Sequence, residues 1–114
     1  MKLKNKLCVV GAGKWGMNHI STLESLNVLA GVVEYSHDIL NKLRDQYPKL
    51  KLFDNLDDAI NFDFDGFIVV TPPNTHYDVS KKIIRSKKHI LIEKPFTTNF
   101  DNAKELYSYQ KNIR

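Results

Sequence analysis

The sequence predicts an α/β fold, a doubly wound parallel sheet with helices on both faces. Two observations predict it. Short apolar runs alternate with amphipathic stretches along all 114 residues, the pattern of a parallel sheet wrapped by crossover helices. The runs are also apolar at nearly every position rather than at alternate ones, which is what strands buried on both faces require.

Taken in order, residues 6–10 (KLCVV) form a first strand that ends at Gly11. Residues 14–26 form a helix with Trp15, His19, Leu23 and Leu26 along one side and Ile20 beside them. Residues 28–34 (VLAGVVE) are a valine-rich strand, and residues 36–47 a second helix, begun near Ser36 or His37 and stopped by Pro48. Residues 51–53 make a short strand, followed by one or two helical turns over 55–60 with Asp54 or Asn55 as cap. Residues 66–70 (GFIVV) are a fourth strand, and residues 74–86 a third long helix bearing Val79, Ile83 and Ile84. Residues 89–93 (HILIE) are a fifth strand, and residues 99–112 a last helix capped by Thr98 or Asn99. The crossovers are expected to be right-handed. No internal repeat, low-complexity segment or long linker interrupts this series.

Composition narrows the classes of function. The length suits one small domain, and a hydrophobic content of 42% supports a core. The formal charge is +4, but the basic residues are scattered. No basic block with interleaved aromatics is present, so nucleic acid is not an expected partner. The single cysteine, Cys8, lies inside the first apolar run. It has no disulfide partner and no metal-ligand spacing, so it reads as a small buried hydrophobe and no metal site is expected. The basic start MKLKNK precedes an apolar run too short for a signal peptide. No segment approaches the about 20 apolar residues of a membrane span. These features predict a cytoplasmic protein with no membrane partner.

In a doubly wound sheet, ligands bind beyond the carboxyl ends of the strands. After the first strand comes GAGKWG, with Gly11, Gly13 and Gly16 in the spacing G-x-G-x-x-G and Lys14 and Trp15 between them. Gly11 permits a tight turn, Gly13 lets a pyrophosphate approach the backbone, and Gly16 lets the helix pack on the sheet. The helix N-terminus then offers N–H groups to phosphate. This placement makes the fold Rossmann-like; the alternative is a glycine-rich turn with no ligand. Glu34 ends the second strand, at the distance from the glycines where ribose hydroxyls are held. A carboxylate there accepts from both hydroxyls and repels a 2′-phosphate, so NAD is expected rather than NADP. Tyr35 and Ser36 follow, with no arginine, and Ser36 leaves a route for a phosphate open. The alternative is that Glu34 only caps a strand in solvent.

After the fourth strand comes TPPNTH, with Thr71, Pro72, Pro73, Asn74 and His76. Two prolines imply an extended, rigid shelf. His76 reads either as a ligand contact or as a structural histidine. After the fifth strand come Glu93, Lys94 and Pro95. A lysine at that strand end would sit near the nicotinamide end of a dinucleotide, where it could hold a substrate oxygen or move a proton. A surface ion pair is the alternative.

GAGKWG, GVVE, TPPNTH and EKP, in this order and spacing, resemble the N-terminal domain of the Gfo/Idh/MocA oxidoreductases. The resemblance covers nearly the whole chain. It implies NAD(P)-dependent hydride transfer at CH–OH groups of sugars, inositols or nucleotide-linked sugars. It assigns substrate binding and catalysis to Lys94, with Glu93 beside it. Members of that family continue into a sixth strand and a second α/β domain that supplies most of the substrate pocket. Residues 1–114 therefore read as a dinucleotide-binding domain truncated before the sixth strand, with the substrate domain absent. Such a chain is expected to bind cofactor without turnover and to meet its sugar-type substrate through the missing domain. An uncovered sheet edge predicts self-association as a homo-oligomer, or marginal stability. Two other readings are a non-catalytic dinucleotide sensor or regulatory module, which has no need of Lys94, and an S-adenosylmethionine-dependent methyltransferase, which TPPNTH and EKP oppose.

Overall fold

The computed structural model describes residues 6–92 and residue 104. Within them lie five strands: β1 (Leu7–Val10), β2 (Leu29–Val33), β3 (Lys51–Phe53), β4 (Gly66–Val69) and β5 (His89–Ile92). Four α-helices connect them: α1 (Lys14–Ser25), α2 (His37–Gln46), α3 (Leu56–Ile60) and α4 (His76–Arg85). All strand pairs are parallel, in the order β3-β2-β1-β4-β5. The chain moves outward from β1 to β3, then returns to the other side of β1 with β4. That reversal opens a crevice beyond the carboxyl ends of β1 and β4, the switch point of a doubly wound sheet. The fold class expected from the sequence is the one observed.

The uninterrupted apolar runs are explained by the two faces of the sheet. Cys8, Val10, Val33, Phe67 and Val69 point to the face covered by α3 and α4, where they meet Leu56, Ala59 and Ile83. Val9, Val32 and Ile68 point to the opposite face and meet Ile20, Leu23 and Leu43 of α1 and α2. Alternate positions therefore feed two separate cores. Cys8 is fully buried, and burial pushes its thiol pKa up, so it behaves as a packing residue rather than a nucleophile. Phe64, also fully buried, packs edge-on against Phe53 and Phe67. Its ring lies where Gly31 of β2 would carry a side chain, so strand and aromatic must be small and large in partnership.

Local signals account for the helix ends. Ser36 caps α2 by accepting from the Ile39 N–H at 3.4 Å, and Asn55 caps α3 by accepting from the Asp58 N–H at 2.9 Å. Helix α1 ends in a Schellman arrangement: Val28 N–H donates to Leu23 O, Asn27 N–H to Glu24 O, and Asn27 takes the left-handed conformation.

Three expectations change. The buried stripe of α1 is Gly16, Ile20 and Leu23, whereas Trp15 and Leu26 are 65% and 63% exposed. Helical periodicity alone allowed either stripe, and the close approach of Gly16 to the sheet chose this one. The proline pair does not form one extended shelf. Pro73 begins a 3-10 turn over Pro73–Thr75 that precedes α4, because its fixed φ also suits the first position of a helix. Finally, β5 is not buried on both faces. His89 and Leu91 are exposed, and only Ile90 and Ile92 join a core. The core on the α1 and α2 face takes residues from β1, β2, β3 and β4 and none from β5. The helix expected over 99–112 lies outside the described residues, apart from helical Lys104.

Two substitutions test this packing. A Cβ on Gly16 would collide with the carbonyl oxygen of Gly11, which is backbone and cannot rotate away. Gly16→Ala is expected to cost about 2 kcal/mol or more in chemical denaturation. Ser80 in α4 is fully buried and its hydroxyl has no hydrogen-bond partner. Ser80→Ala is expected to leave stability unchanged or to raise it by up to about 1 kcal/mol, since it removes an unpaired buried polar group. A clear loss in the same experiment would mean that the hydroxyl is paired in solution.

Candidate functional site

The site grows from the loop between β1 and α1. Gly11 extends the sheet ladder by one bond, donating to Val33 O at 2.8 Å, and then turns with φ +102°. A side chain there would be strained, and its Cβ would lie 3.1 Å from backbone atoms of Val70 and Thr71. The loop is thus wedged between the ends of β2 and β4. Ala12 is buried, and its N–H donates to Glu34 Oε1 at 2.8 Å. Gly13 is the N-cap of α1, exposed, with ordinary φ of −72°. It gives no side-chain cap, and a Cβ at Gly13 would meet nothing within 4 Å. The first turn of α1 therefore presents its N–H groups beside open space, which suits an anion. Lys14 and Trp15 flank that space, both exposed.

Glu34 stands at the end of β2, half-buried, with its own N–H donating to Phe53 O at 3.0 Å. Its second carboxylate oxygen accepts from the Ser36 N–H at 2.8 Å. The Ser36 hydroxyl is used as the α2 cap. Tyr35 projects outward, 58% exposed.

On the β4 side, the Thr75 hydroxyl bonds to Thr71 Oγ1 at 2.7 Å and to Pro72 O at 2.6 Å. Helix α4 begins without a side-chain cap hydrogen bond. His76 is 1% exposed, and its Nε2 lies 2.7 Å from Thr71 O. A carbonyl only accepts, so Nε2 carries the proton. His76 is thus buried, with one ring nitrogen donating to the Thr71 carbonyl at the end of β4. Asn74 is exposed on the outer side.

Between these ends lies an open cleft of about 370 Å³, within the about 300–1,000 Å³ of small-ligand sites. Tyr35, Pro72, Leu56 and Val79 are among the residues that line it, with Asp57 and Lys82 also at its wall. Lys82 Nζ reaches Asp57 Oδ1 at 3.2 Å, joining α4 to α3. The sequence reading missed Leu56, Asp57, Val79 and Lys82. They come from two helices on one face, and no linear spacing brings them together. The signal available was the position of Asn55 and its neighbours at a strand's carboxyl end. Glu93 and Lys94 lie outside the described residues. Among the described residues, no group of three or more His, Cys, Asp or Glu could hold a metal ion, and no helix is long and apolar enough to cross a membrane. What the site offers is binding chemistry: backbone donors, a fixed carboxylate and a partly apolar cleft.

Comparison with known proteins shows the family to which this fold belongs. Residues 5–112 match the family described as the Gfo/Idh/MocA oxidoreductase family, NAD-binding Rossmann fold. The chain belongs to the Gfo/Idh/MocA oxidoreductase family. This Gfo/Idh/MocA domain is 31% identical over 102 residues to UDP-N-acetylglucosamine 3-dehydrogenase of Acidithiobacillus ferrooxidans, covering 86% of this chain and 31% of that enzyme. A crystal form of that enzyme superposes with a TM-score of 0.86 at 26% identity, over 95% of this chain and 35% of the other. Inositol 2-dehydrogenase of Mycolicibacterium gilvum is 24% identical over 105 residues, 89% of this chain and 30% of the enzyme. The structure of GenD2 from gentamicin A biosynthesis, solved with NAD, shares the fold with a TM-score of 0.88 at 22% identity, covering 99% of this chain and 34% of that one. The Gfo/Idh/MocA domain spans about a third of the length of these enzymes. It is the NAD(P)-binding part of a family of NAD(P)-dependent dehydrogenases.

The three glycines of the loop differ in what they do, and that can be measured. Gly13→Ala adds a methyl group into open space at an ordinary φ. It is expected to leave the denaturation midpoint essentially unchanged while weakening NADH binding by about tenfold or more, the scale of a lost close phosphate approach. Equal NADH affinity in calorimetry would move the phosphate away from Gly13.

Proposed function

We propose that this domain binds NAD and serves an oxidoreductase that transfers a hydride at CH–OH groups of a sugar, inositol or nucleotide-sugar. The observation that carries the reading is the Glu34 carboxylate, fixed beside the glycine loop and next to the cleft. The pyrophosphate would lie over Gly13 on the N-terminus of α1. Glu34 would accept from the adenosine ribose hydroxyls. The adenine would enter the cleft between Tyr35 and Pro72, with Thr71 and Asn74 along its rim. When bound, the nicotinamide supplies the hydride acceptor or donor. Its end of the molecule would point across β4 toward the end of β5. Lys94, two residues past the end of β5, would there hold the substrate oxygen with its ammonium and carry a proton to or from it, with Glu93 as its neighbour. The two sugar-type dehydrogenases among the relatives support the substrate class. The substrate pocket would be completed by a part of the enzyme that the relatives have beyond this match, so these 114 residues alone would bind cofactor without turnover.

The test is a calorimetric titration with NADH and NADPH at low salt. Binding of NADH should be tighter by about tenfold or more, about 1.4 kcal/mol. Equal affinity for the two would remove Glu34 from the ribose site, and no binding of either would remove the dinucleotide site itself. In the same assay Lys94→Ala should hold NADH within about twofold of the parent, since its role is at the substrate. A large loss would place Lys94 at the adenine or phosphate end.

A further inference from the structure

We propose that Glu34 is a latch that shapes the phosphate loop before any cofactor arrives, and that it discriminates between cofactors because it is immobilised as well as charged. The inference rests on the dinucleotide reading above and adds a role that needs no cofactor atom.

The two carboxylate oxygens are divided between two elements. Oε1 accepts from the Ala12 N–H in the glycine loop, and Oε2 accepts from the Ser36 N–H at the N-cap of α2, both at 2.8 Å. The position of Ala12 explains why such a side chain is needed. Gly11 N–H still finds a backbone carbonyl, Val33 O. Ala12 is the first residue beyond that ladder, and it is only 3% exposed. Its N–H would face the full cost of an unpaired buried donor if Glu34 did not accept from it. Bonds from backbone N–H groups to a carboxylate are charge-assisted, which makes them the stronger kind. The turn at Gly11 is thereby tied to the end of β2, and the next N–H groups, from Gly13 onward, are left to face outward.

This arrangement also bears on selectivity. A carboxylate on a free stem could swing away from a 2′-phosphate. Glu34 cannot do so without leaving two backbone N–H groups unpaired. Each carboxylate oxygen keeps a further lone pair, so ribose hydroxyls can donate to it with the latch closed. A phosphate, which offers no proton there and carries negative charge, cannot.

The experiment has one arm without ligand and one with it. Amide hydrogen exchange is followed by NMR in the ligand-free protein and in Glu34→Gln and Glu34→Ala. The Ala12 and Ser36 amides should be protected in the parent and exchange about tenfold faster or more in Glu34→Ala, with the amide of core residue Val9 unchanged as the control for folding. Glu34→Gln, which keeps one acceptor oxygen, should release one of the two. In the second arm the ligand is 2′,3′-dideoxy-ADP, which has the base and pyrophosphate but neither ribose hydroxyl. Its affinity should fall by about fivefold or more in Glu34→Ala and less in Glu34→Gln, in keeping with the loss of charge-assisted bonds. Unchanged dideoxy-ADP affinity would mean that Glu34 acts through the ribose alone, and the latch is overturned. Unprotected Ala12 and Ser36 amides in the parent overturn it as well. If the parent binds neither ADP nor dideoxy-ADP, the dinucleotide reading fails, and the exchange arm by itself still decides whether the latch exists.

Discussion

The first turn of α1 lies so close to the end of β1 that the carbonyl of Gly11 occupies the place where a side chain on Gly16 would begin. That approach aligns the helix with the crevice. It brings the N-terminus of α1 to the switch point, where β4 returns on the far side of β1. It rotates α1 so that Gly16, Ile20 and Leu23 face the sheet, and it leaves Trp15 and Gly13 facing outward. The same wedge fixes Gly11 against the backbone of Val70 and Thr71, so the loops after β1 and β4 form one surface.

Around that contact, the supporting groups act on backbone. Glu34 accepts from Ala12 and Ser36. His76 and Thr75 hold Thr71 and Pro72. Buried donors and acceptors must be paired, and here side chains provide that pairing where the sheet ladder has ended. The consequence is that the loops around the crevice are braced by hydrogen bonds from within the chain.

The described groups around the crevice suit binding: the buried His76 lies against a carbonyl, and the exposed groups are donors, acceptors and aromatic surface. The thiol of Cys8 is raised in pKa and packed in a core. The chain spans about a third of the length of the solved relatives it resembles.

Much of the fold was legible in the residues. Apolar runs with a neighbour on each face, glycines at a strand-to-helix turn, Ser36 and Asn55 at helix starts, and Glu34 at a strand end are signals written in adjacent positions, because they reflect local backbone requirements. Other features were not legible, and for a shared reason. Whether His76 faces a ligand or the interior, which side of α1 is buried, and that α3 and α4 wall a cleft all depend on distances between segments far apart in the chain. Exposure of one side of β5 likewise depends on which segments pack there. The sequence by itself determined the elements, their parallel winding and the residue types at the strand ends. Only the tertiary structure decided that Glu34 spends both oxygens on the backbone of two neighbouring loops, because hydrogen bonds are satisfied by what lies within 3 Å in space and not by what lies nearby in sequence.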